Sequence, residues 1–155
     1  MARVLIVGCG CRGRSLATAL TGRGLAVRGT TRDPARVADI EAAGAEAVVA
    51  DPDRLGTVLA QVDGVTIVCW LMGTADVPEL HGERLQSLLE KLVDTPVRGF
   101  VYEAAGNQHT DGGGAIARAA GATFRLPVEV VDADPGNHEE WRRAVLSCVD
   151  RLLVP

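Results

Sequence analysis

Residues 4–15, with the sequence VLIVGCGCRGRS, decide how this chain folds. Apolar residues run into Gly8, Gly10 and Gly13 at the spacing G-x-G-x-x-G, and a helical pattern follows. In a strand–turn–helix unit the first glycine permits a tight turn, the second admits a pyrophosphate close to the backbone, and the third lets helix and strand pack. Because glycine is common here, at 18 of 155 residues, the spacing is informative only if the surrounding chain supplies strands and helices in order.

The rest of the chain alternates apolar, strand-like runs with helical patterns. The pattern predicts strands at 3–7, 25–29, 47–50, 65–70, 98–104 and 126–131. It predicts helices at 12–23, 34–43, 53–61, 78–94, 114–120 and 137–153. Continuously apolar strands are typical of a parallel sheet covered on both faces. We therefore predict a single α/β domain over residues 1–155, a doubly wound parallel sheet of six strands in the Rossmann order 3-2-1-4-5-6.

Composition narrows the classes of function. The formal net charge is −4, which disfavours nucleic acid as the main partner because phosphate binding needs a basic face. No apolar run is long enough to cross a membrane, and the N-terminal run breaks at Gly8 with no cleavage region after it. The histidines have no metal-ligand spacing, and neither do Cys9, Cys11, Cys69 and Cys148. We therefore expect a cytoplasmic protein with free thiols, no metal, no nucleic acid and no membrane partner.

With this alternation around it, the glycine-rich turn is predicted to bind a dinucleotide. Unpaired N–H groups at the start of the first helix would hold the phosphates, assisted by the helix dipole. The predicted contacts in the turn are Gly8, Gly10, Cys11, Arg12 and Gly13. The alternative is a turn that tolerates glycine and binds nothing, since one fold serves many functions.

The sequence after the second strand, GTTRD at 29–33, bears on which dinucleotide binds. An NAD site places an acidic residue near that point to bind the ribose 2′-OH. Here Thr30, Thr31 and Arg32 stand there instead, and hydroxyl and guanidinium groups can donate hydrogen bonds to a 2′-phosphate. We expect Arg12 to approach the same phosphate from the glycine turn. The sequence thus predicts NADP(H) in preference to NAD(H), the alternative being that Arg32 is an ordinary solvated arginine.

Four stretches resemble the atypical short-chain dehydrogenases/reductases, especially the NmrA-like and sugar-nucleotide-epimerase-like NAD(P)-binding proteins. The stretches are Gly8–Gly13, GTTR at 29–32, VVADPDRL at 48–55 and VDGVTIVCW at 62–70. The resemblance implies that Asp51 contacts the adenine amine. It also implies that the segment after the fourth strand lines the adenosine and the nicotinamide ribose, through Cys69, Trp70 and Leu71. It covers about residues 3–105, and the last third of the chain by layout only.

Reductases of this wider family mostly use a Tyr-x-x-x-Lys pair, in which the lysine prepares the tyrosine to pass a proton to the substrate. The only tyrosine here is Tyr102, with Gly106 at the lysine position, and the only lysine is Lys91 in another predicted helix. Polar residues collect after the fifth strand, where Glu103 and His109 are candidates for an acid–base pair at a substrate site. The alternative is a polar loop bonded to its own backbone.

Two further features have more than one interpretation. The run Gly112–Gly114 can be a second anion cradle, the hinge of a lid or a flexible connection. Cys9 and Cys11 lie in the glycine turn, and Cys69 is predicted beside them. These thiols can form a redox-sensitive site or serve as ordinary small buried residues.

Two functions are compatible with these residues. The first is a small NAD(P)-dependent oxidoreductase or epimerase-like enzyme, with its unknown substrate near Trp70, Glu103 and His109. The second is a non-catalytic module that senses NAD(P), with a homodimer as one form of it. The missing Tyr-x-x-x-Lys pair favours this second function. A degenerate fold that binds a different nucleotide is a third. Neither the substrate nor a catalytic residue follows from the sequence.

Overall fold

A computed structural model describes residues 2–154 and contains one sheet of six parallel strands. The strands are β1 (Arg3–Val7), β2 (Ala26–Thr31), β3 (Glu46–Val49), β4 (Ile67–Trp70), β5 (Gly99–Glu103) and β6 (Val128–Val131). The helices are α1 (Cys11–Gly22), α2 (Val37–Ala42), α3 (Leu55–Leu59), α4 (Glu83–Leu92), α5 (Thr110–Phe124) and α6 (His138–Leu153). The strand order β3-β2-β1-β4-β5-β6 confirms the predicted Rossmann topology.

The two faces of the sheet are buried under different helices. Because successive side chains of a strand point to opposite faces, Val4 and Ile6 of β1 pack on one side and Leu5 and Val7 on the other. The first side is covered by α1, α2 and α6, and the second by α3, α4 and α5. All strands except the short edge strand β3 contribute buried apolar residues.

The carboxyl ends of all six strands lie at one edge of the sheet, because the strands are parallel. The strand order reverses direction between β1 and β4: α1, which follows β1, covers one face of the sheet, and α4, which follows β4, covers the other. Loops that leave in opposite directions open a crevice at that point, where ligands of such sheets bind. None of the helices within residues 2–154 has the length and apolar character needed to cross a membrane.

One predicted helix, at 78–94, is divided in the structure. A 3₁₀ turn at Pro78–His81 is followed by Gly82, whose backbone is not helical, and α4 begins at Glu83. The turn is held against the sheet because the indole N–H of Trp70 donates to the carbonyl oxygen of Leu80 at 3.1 Å. The predicted apolar stripe of α4 is confirmed, with four buried leucines at Leu85, Leu88, Leu89 and Leu92.

The run Gly112–Gly114 is neither a cradle, a hinge nor a loose connection, which corrects all three interpretations. It lies in the first turns of α5, which begins at Thr110 and not at the predicted residue 114. A Cβ on Gly113 would lie 2.5 Å from Cζ of Tyr102 and would collide with the hydroxyl of that ring. The glycine is therefore required by the close approach of the helix to β5.

Candidate functional site

The glycine turn has the geometry that its spacing predicts. Gly8 has a φ of +89°, and a Cβ there would lie 2.7 Å from the carbonyl oxygen of Leu71. A Cβ on Gly13 would lie 3.1 Å from the carbonyl oxygen of Gly8. Both positions therefore disfavour a side chain, the first through backbone conformation and the second through close helix–strand packing.

The N-terminus of α1 is open to a ligand. Gly10 is the N-cap residue, and no side chain there accepts a hydrogen bond from the first turn. The first backbone N–H groups of a helix have no partner inside the helix. In α1 these groups end at the crevice, together with the positive end of the helix dipole, so the turn is built to receive an anion.

A cavity of about 830 Å³ lies along this edge of the sheet. It extends from the ends of β2 and β3, across the glycine turn, to the loop between β6 and α6. Its lining includes most of the predicted contacts, namely Gly8, Gly10, Cys11, Arg12, Gly13, Thr30, Thr31, Arg32, Asp51 and Leu71. The structure thus brings together residues from four separate loops that the sequence analysis had selected.

The end of the cavity beside β2 is rich in arginine. Arg14, Arg32 and Arg36 line it, and Arg14 and Arg36 were not selected from the sequence. Arg14 follows Gly10 by one helical turn, and Arg36 lies in the 3₁₀ turn after β2. Two signals in the sequence could have found them. Arg14 lies in the first turn of the helix that follows the glycines, and Arg36 closely follows the predicted second strand.

The threonines of β2 contribute differently from each other. The hydroxyl oxygen of Thr30 accepts a hydrogen bond from the N–H of Gly8 at 3.2 Å, and its side chain is buried. The hydroxyl of Thr31 accepts from the N–H of Asp33 at 3.1 Å. The first of these contacts ties the glycine turn to β2 and fixes its distance from the arginine-rich end.

Asp51 lies at the cavity wall after β3, as the resemblance implies. Its carboxylate accepts a hydrogen bond from the N–H of Asp53 at 3.0 Å, and its own N–H donates to the hydroxyl of Thr57 at 2.8 Å. The side chain is therefore oriented by its own loop before any ligand binds.

Arg12 does not reach toward the end of β2, which corrects the prediction that it approaches a 2′-phosphate there. Its guanidinium pairs with the carboxylate of Glu103 at the end of β5 and lies 4.8 Å from the ring centroid of Trp141. The cationic group is thus turned to the opposite half of the sheet, where an ion pair and a cation–π contact engage it.

Glu103 is completely buried and serves as the acceptor for three different elements. Besides Arg12 of α1, the N–H of Gly73 and the indole N–H of Trp141 each donate to it at 2.6 Å. The carboxylate is therefore bonded on all sides and does not line the cavity, in contrast to its predicted place at a substrate site.

The sequence matches the NAD(P)H-binding protein family over residues 8–125, which is most of the chain. The chain belongs to this family. The match begins at Gly8 and extends through β5 to the end of α5. No curated protein matches the sequence.

Several solved structures have a similar fold. One is a short-chain dehydrogenase/reductase superfamily protein from Agrobacterium tumefaciens with bound NAD, at 20% identity, TM-score 0.67, covering 84% of this chain and 48% of that one. Vestitone reductase from alfalfa is 14% identical, with a TM-score of 0.67 and coverage of 85% and 56%. Triphenylmethane reductase from Citrobacter, complexed with NADP(H), is 14% identical, with a TM-score of 0.66 and coverage of 83% and 48%. This NAD(P)H-binding chain therefore spans about half the length of these proteins, and the likeness shows a shared fold.

The pair predicted at the substrate site, Glu103 with His109, does not form in the NAD(P)H-binding fold. Nε2 of His109 lies 2.9 Å from the carboxylate of Asp76, and its ring stacks on His81 with centroids 6.4 Å apart. His109 is also absent from the cavity lining. His109 thus pairs with a carboxylate of the β4–α4 loop, and the predicted pair with Glu103 is absent.

The ring of His81, on which His109 stacks, contacts Tyr102, and both residues are buried. Nδ1 of His81 lies 2.5 Å from the hydroxyl of Tyr102, and Nε2 lies 3.1 Å from the carbonyl oxygen of Ala75. Burial lowers the pKa of His81 and raises the pKa of Tyr102. Both groups are therefore held neutral near pH 7 and bonded to each other.

Cys69 and Trp70 do not line the cavity, although the resemblance implied it. Both side chains are fully buried in the core, on opposite faces of the sheet. Burial raises the pKa of Cys9 to about 11 and raises the pKa of Cys69 further, which suits small core residues and not redox-active thiols. Cys11 alone is exposed, and it lies at the cavity.

The residues present fit a bound dinucleotide. The uncapped first turn of α1 suits the pyrophosphate, and the cavity continues on both sides of that turn. On the α6 side the lining comes from Pro135, Gly136, His138 and Trp141, which the sequence analysis did not select. Their distance from the glycine turn along the chain is large, and only the fold brings them to it.

Proposed function

We propose that this protein binds NADP(H) in preference to NAD(H), with the adenosine half at the ends of β2 and β3. The observation that supports this most is the arginine-rich cavity end formed by Arg14, Arg32 and Arg36. The first carboxylate after β2, that of Asp33, accepts from the N–H of Ala35 at 2.9 Å and is absent from the cavity lining. A 2′-phosphate would therefore meet cations there and no carboxylate from β2.

A direct test compares NADPH and NADH binding by the fluorescence of the reduced nicotinamide. Arg32→Ala should weaken NADPH by about tenfold or more, since a hydrogen bond to a charged group contributes about 1.5–3 kcal/mol. NADH lacks the phosphate and should change little. Arg23→Ala is the matched control, because that arginine pairs with Asp150 on the surface, away from the cavity. Equal weakening of both cofactors by Arg32→Ala contradicts the proposal.

For the role of the bound cofactor we propose hydride transfer, as an oxidoreductase or epimerase-like enzyme of the cytoplasm. Reductases have a similar fold, as does UDP-N-acetylglucosamine 4-epimerase from Bacillus cereus. The cavity also continues beyond the glycine turn toward α6, which leaves space for a second molecule. Reduction of a carbonyl panel by NADPH, followed at the nicotinamide absorbance, tests this role.

A second candidate is a cofactor sensor that catalyses nothing, assembled as a homodimer. It is favoured by the state of Tyr102, which is buried against His81 and therefore unavailable to protonate a substrate. A sensor should bind NADPH and NADP⁺ with different affinities and turn over no member of the panel. Its oligomeric state should respond to the form of the cofactor, as measured by light scattering.

A further inference from the structure

We propose that His138 donates the proton to an uncharged carbonyl substrate, which occupies the end of the cavity between the β4–α4 loop and α6. This rests on the proposed binding of NADP(H) with its adenosine half at β2 and β3. It assigns a proton donor to a fold in which Tyr102 and Glu103 are both buried and bonded elsewhere.

The position of His138 follows from the strand order. β2 and β3 lie on one side of β1, and β4, β5 and β6 lie on the other, so a ligand that crosses the glycine turn must reach the second group. His138 is the first residue of α6 and lines the cavity. Trp141, one helical turn later on the same face, contacts the guanidinium of Arg12 in the glycine turn. The imidazole therefore belongs to the half of the cavity opposite the arginine-rich end.

The walls of this half are mostly uncharged. The β4–α4 side supplies residues such as Leu71, Met72 and Ala75, and the α6 side supplies Gly136 and Trp141 beside His138. The charge of Arg12 is offset by the buried carboxylate of Glu103. Among the described lining residues an anionic substrate would find no cation there besides the proton donor itself and would lose hydration, whereas an uncharged substrate would lose little.

His138 supplies the imidazole of the cavity lining, and imidazole is the side-chain group that ordinarily gains and loses a proton near neutral pH. The other titratable groups of the lining are arginines, the carboxylates of Asp51 and Asp53, and the thiols of Cys9 and Cys11. Arginine does not release its proton in proteins, and carboxylates ordinarily carry none at neutral pH. The two thiols lie in the glycine turn, where the pyrophosphate is proposed to bind, and not beside α6. Within residues 2–154 the other histidines are engaged away from the cavity, His81 with Tyr102 and His109 with Asp76.

The step balances in atoms and electrons. When bound, NADPH would supply a hydride, with its electron pair, to the carbonyl carbon of the substrate. The protonated imidazole of His138 gives its proton to the carbonyl oxygen as the C=O π bond opens, and an alcohol forms. His138 is then neutral and takes a proton from water, which it can reach because its side chain is exposed.

The first test compares two activated carbonyl compounds of similar size, uncharged 1-phenyl-1,2-propanedione and anionic phenylglyoxylate. The wild-type protein should reduce the dione with NADPH and leave the acid nearly untouched. His138→Asn should lower kcat for the dione by about 100-fold, the lower end of what a general acid contributes. The variant should also lose the decline in rate toward high pH that a required proton donor causes, while His109→Asn keeps that decline. Equal reduction of the two compounds, or full activity of His138→Asn, overturns the inference.

The second test needs no turnover. Histidine acylation by diethyl pyrocarbonate, mapped by mass spectrometry, should slow at His138 by several-fold when NADP⁺ and the dione are both present. The rate at His109, which lies outside the cavity lining, should stay the same. An unchanged rate at His138 with both ligands bound overturns the inference.

Failure of this inference is distinguishable from failure of the proposed function. NADPH fluorescence measures cofactor binding directly, and His138→Asn leaves the arginine-rich end unaltered. Tight NADPH binding without reduction of the dione removes the role of His138 and leaves cofactor binding in place. Absence of NADPH binding removes both.

Discussion

Among single residues, Glu103 is bonded to three separate elements. It carries a charge in a fully buried position, where an unpaired carboxylate is very unfavourable. Donors from α1, from the β4–α4 loop and from α6 compensate for the lost hydration. One side chain at the end of β5 thus fixes the mutual position of three elements around the cavity.

Replacing Glu103 should therefore cost much more stability than replacing a surface carboxylate. Glu103→Ala leaves the guanidinium of Arg12 without its counter-charge in a nearly buried position, and we expect a loss of about 3–5 kcal/mol of unfolding free energy. Asp150→Ala removes an exposed ion pair with Arg23 and should lose less than about 1 kcal/mol. Urea denaturation of the three proteins measures both. Similar losses in the two variants contradict this account of Glu103.

The buried imidazole of His81 should make stability depend on pH. Burial lowers its pKa below the ordinary value of 6.5, so the unfolded chain binds the proton more readily than the folded one. Its contribution is therefore present above about 6.5 and is lost as the pH falls through that value toward the folded pKa. The neighbours that face this ring are Tyr102, His109 and Glu103.

The measurement is the free energy of unfolding between about pH 7 and about pH 5. His81→Asn, whose amide can replace Nδ1 as the acceptor for Tyr102, should show a smaller loss across this range. His138→Asn removes an exposed histidine and should keep the wild-type slope. A slope that is the same in His81→Asn and the wild type shows that another group causes the acid sensitivity.

At the scale of elements, α5 is shaped by the ring beneath it. Its neighbouring glycines differ completely in environment, since Gly113 is buried over Tyr102 whereas a Cβ on Gly112 would meet nothing within 4 Å. The helix therefore tolerates poor helix formers at its start because one of them permits close packing on β5.

These two positions give a matched pair of substitutions. Gly112→Ala should stabilise the protein by up to about 1 kcal/mol, because alanine is the better helix former. Gly113→Ala should destabilise it by about 1–3 kcal/mol, the usual cost of overpacking a core. Adding Tyr102→Phe to Gly113→Ala should recover part of the loss, since it removes the hydroxyl that collides. Thermal denaturation measures all three, and equal effects at the two glycines contradict the packing account.

For the whole molecule, the cavity connects the two halves of the sheet. Its lining comes from the loops after β1, β2, β3, β4 and β6, while Glu103 at the end of β5 supports it from below. A long ligand should therefore order loops that are far apart in the chain, and a short one should order only those that it touches.

Amide hydrogen exchange of the protein, measured with a short ligand and with a long one, tests this arrangement. Adenosine 2′,5′-bisphosphate should slow exchange after β2 and β3, at residues 30–36 and 51–53. NADP⁺ should slow the same residues and also residues 71–77 and 135–141, because it reaches the other half of the cavity. The C-terminal turn of α6, distant from the cavity, is the internal control. Protection of both halves by the short ligand contradicts the assigned orientation.

Local and periodic features could be determined from the sequence alone. The apolar run into Gly8 specified β1 and the turn, the leucines of α4 specified its buried face, and the alternation of strands and helices specified the strand order. These features depend on residues within one or two turns of each other, where backbone preference and burial act together. The lining of the cavity by Thr30–Arg32 and Asp51 followed from the same order.

Partner choice among distant side chains was decided only by the tertiary structure. Arg12 and Glu103 are 91 positions apart, and no local pattern indicates that they pair beneath the cavity. The same holds for His109 with Asp76, for Gly113 over Tyr102, and for the arrival of His138 at the cavity. Sequence periodicity specifies which face of an element is buried, but a side-chain contact depends on packing angles and distances that exist only when all the elements meet.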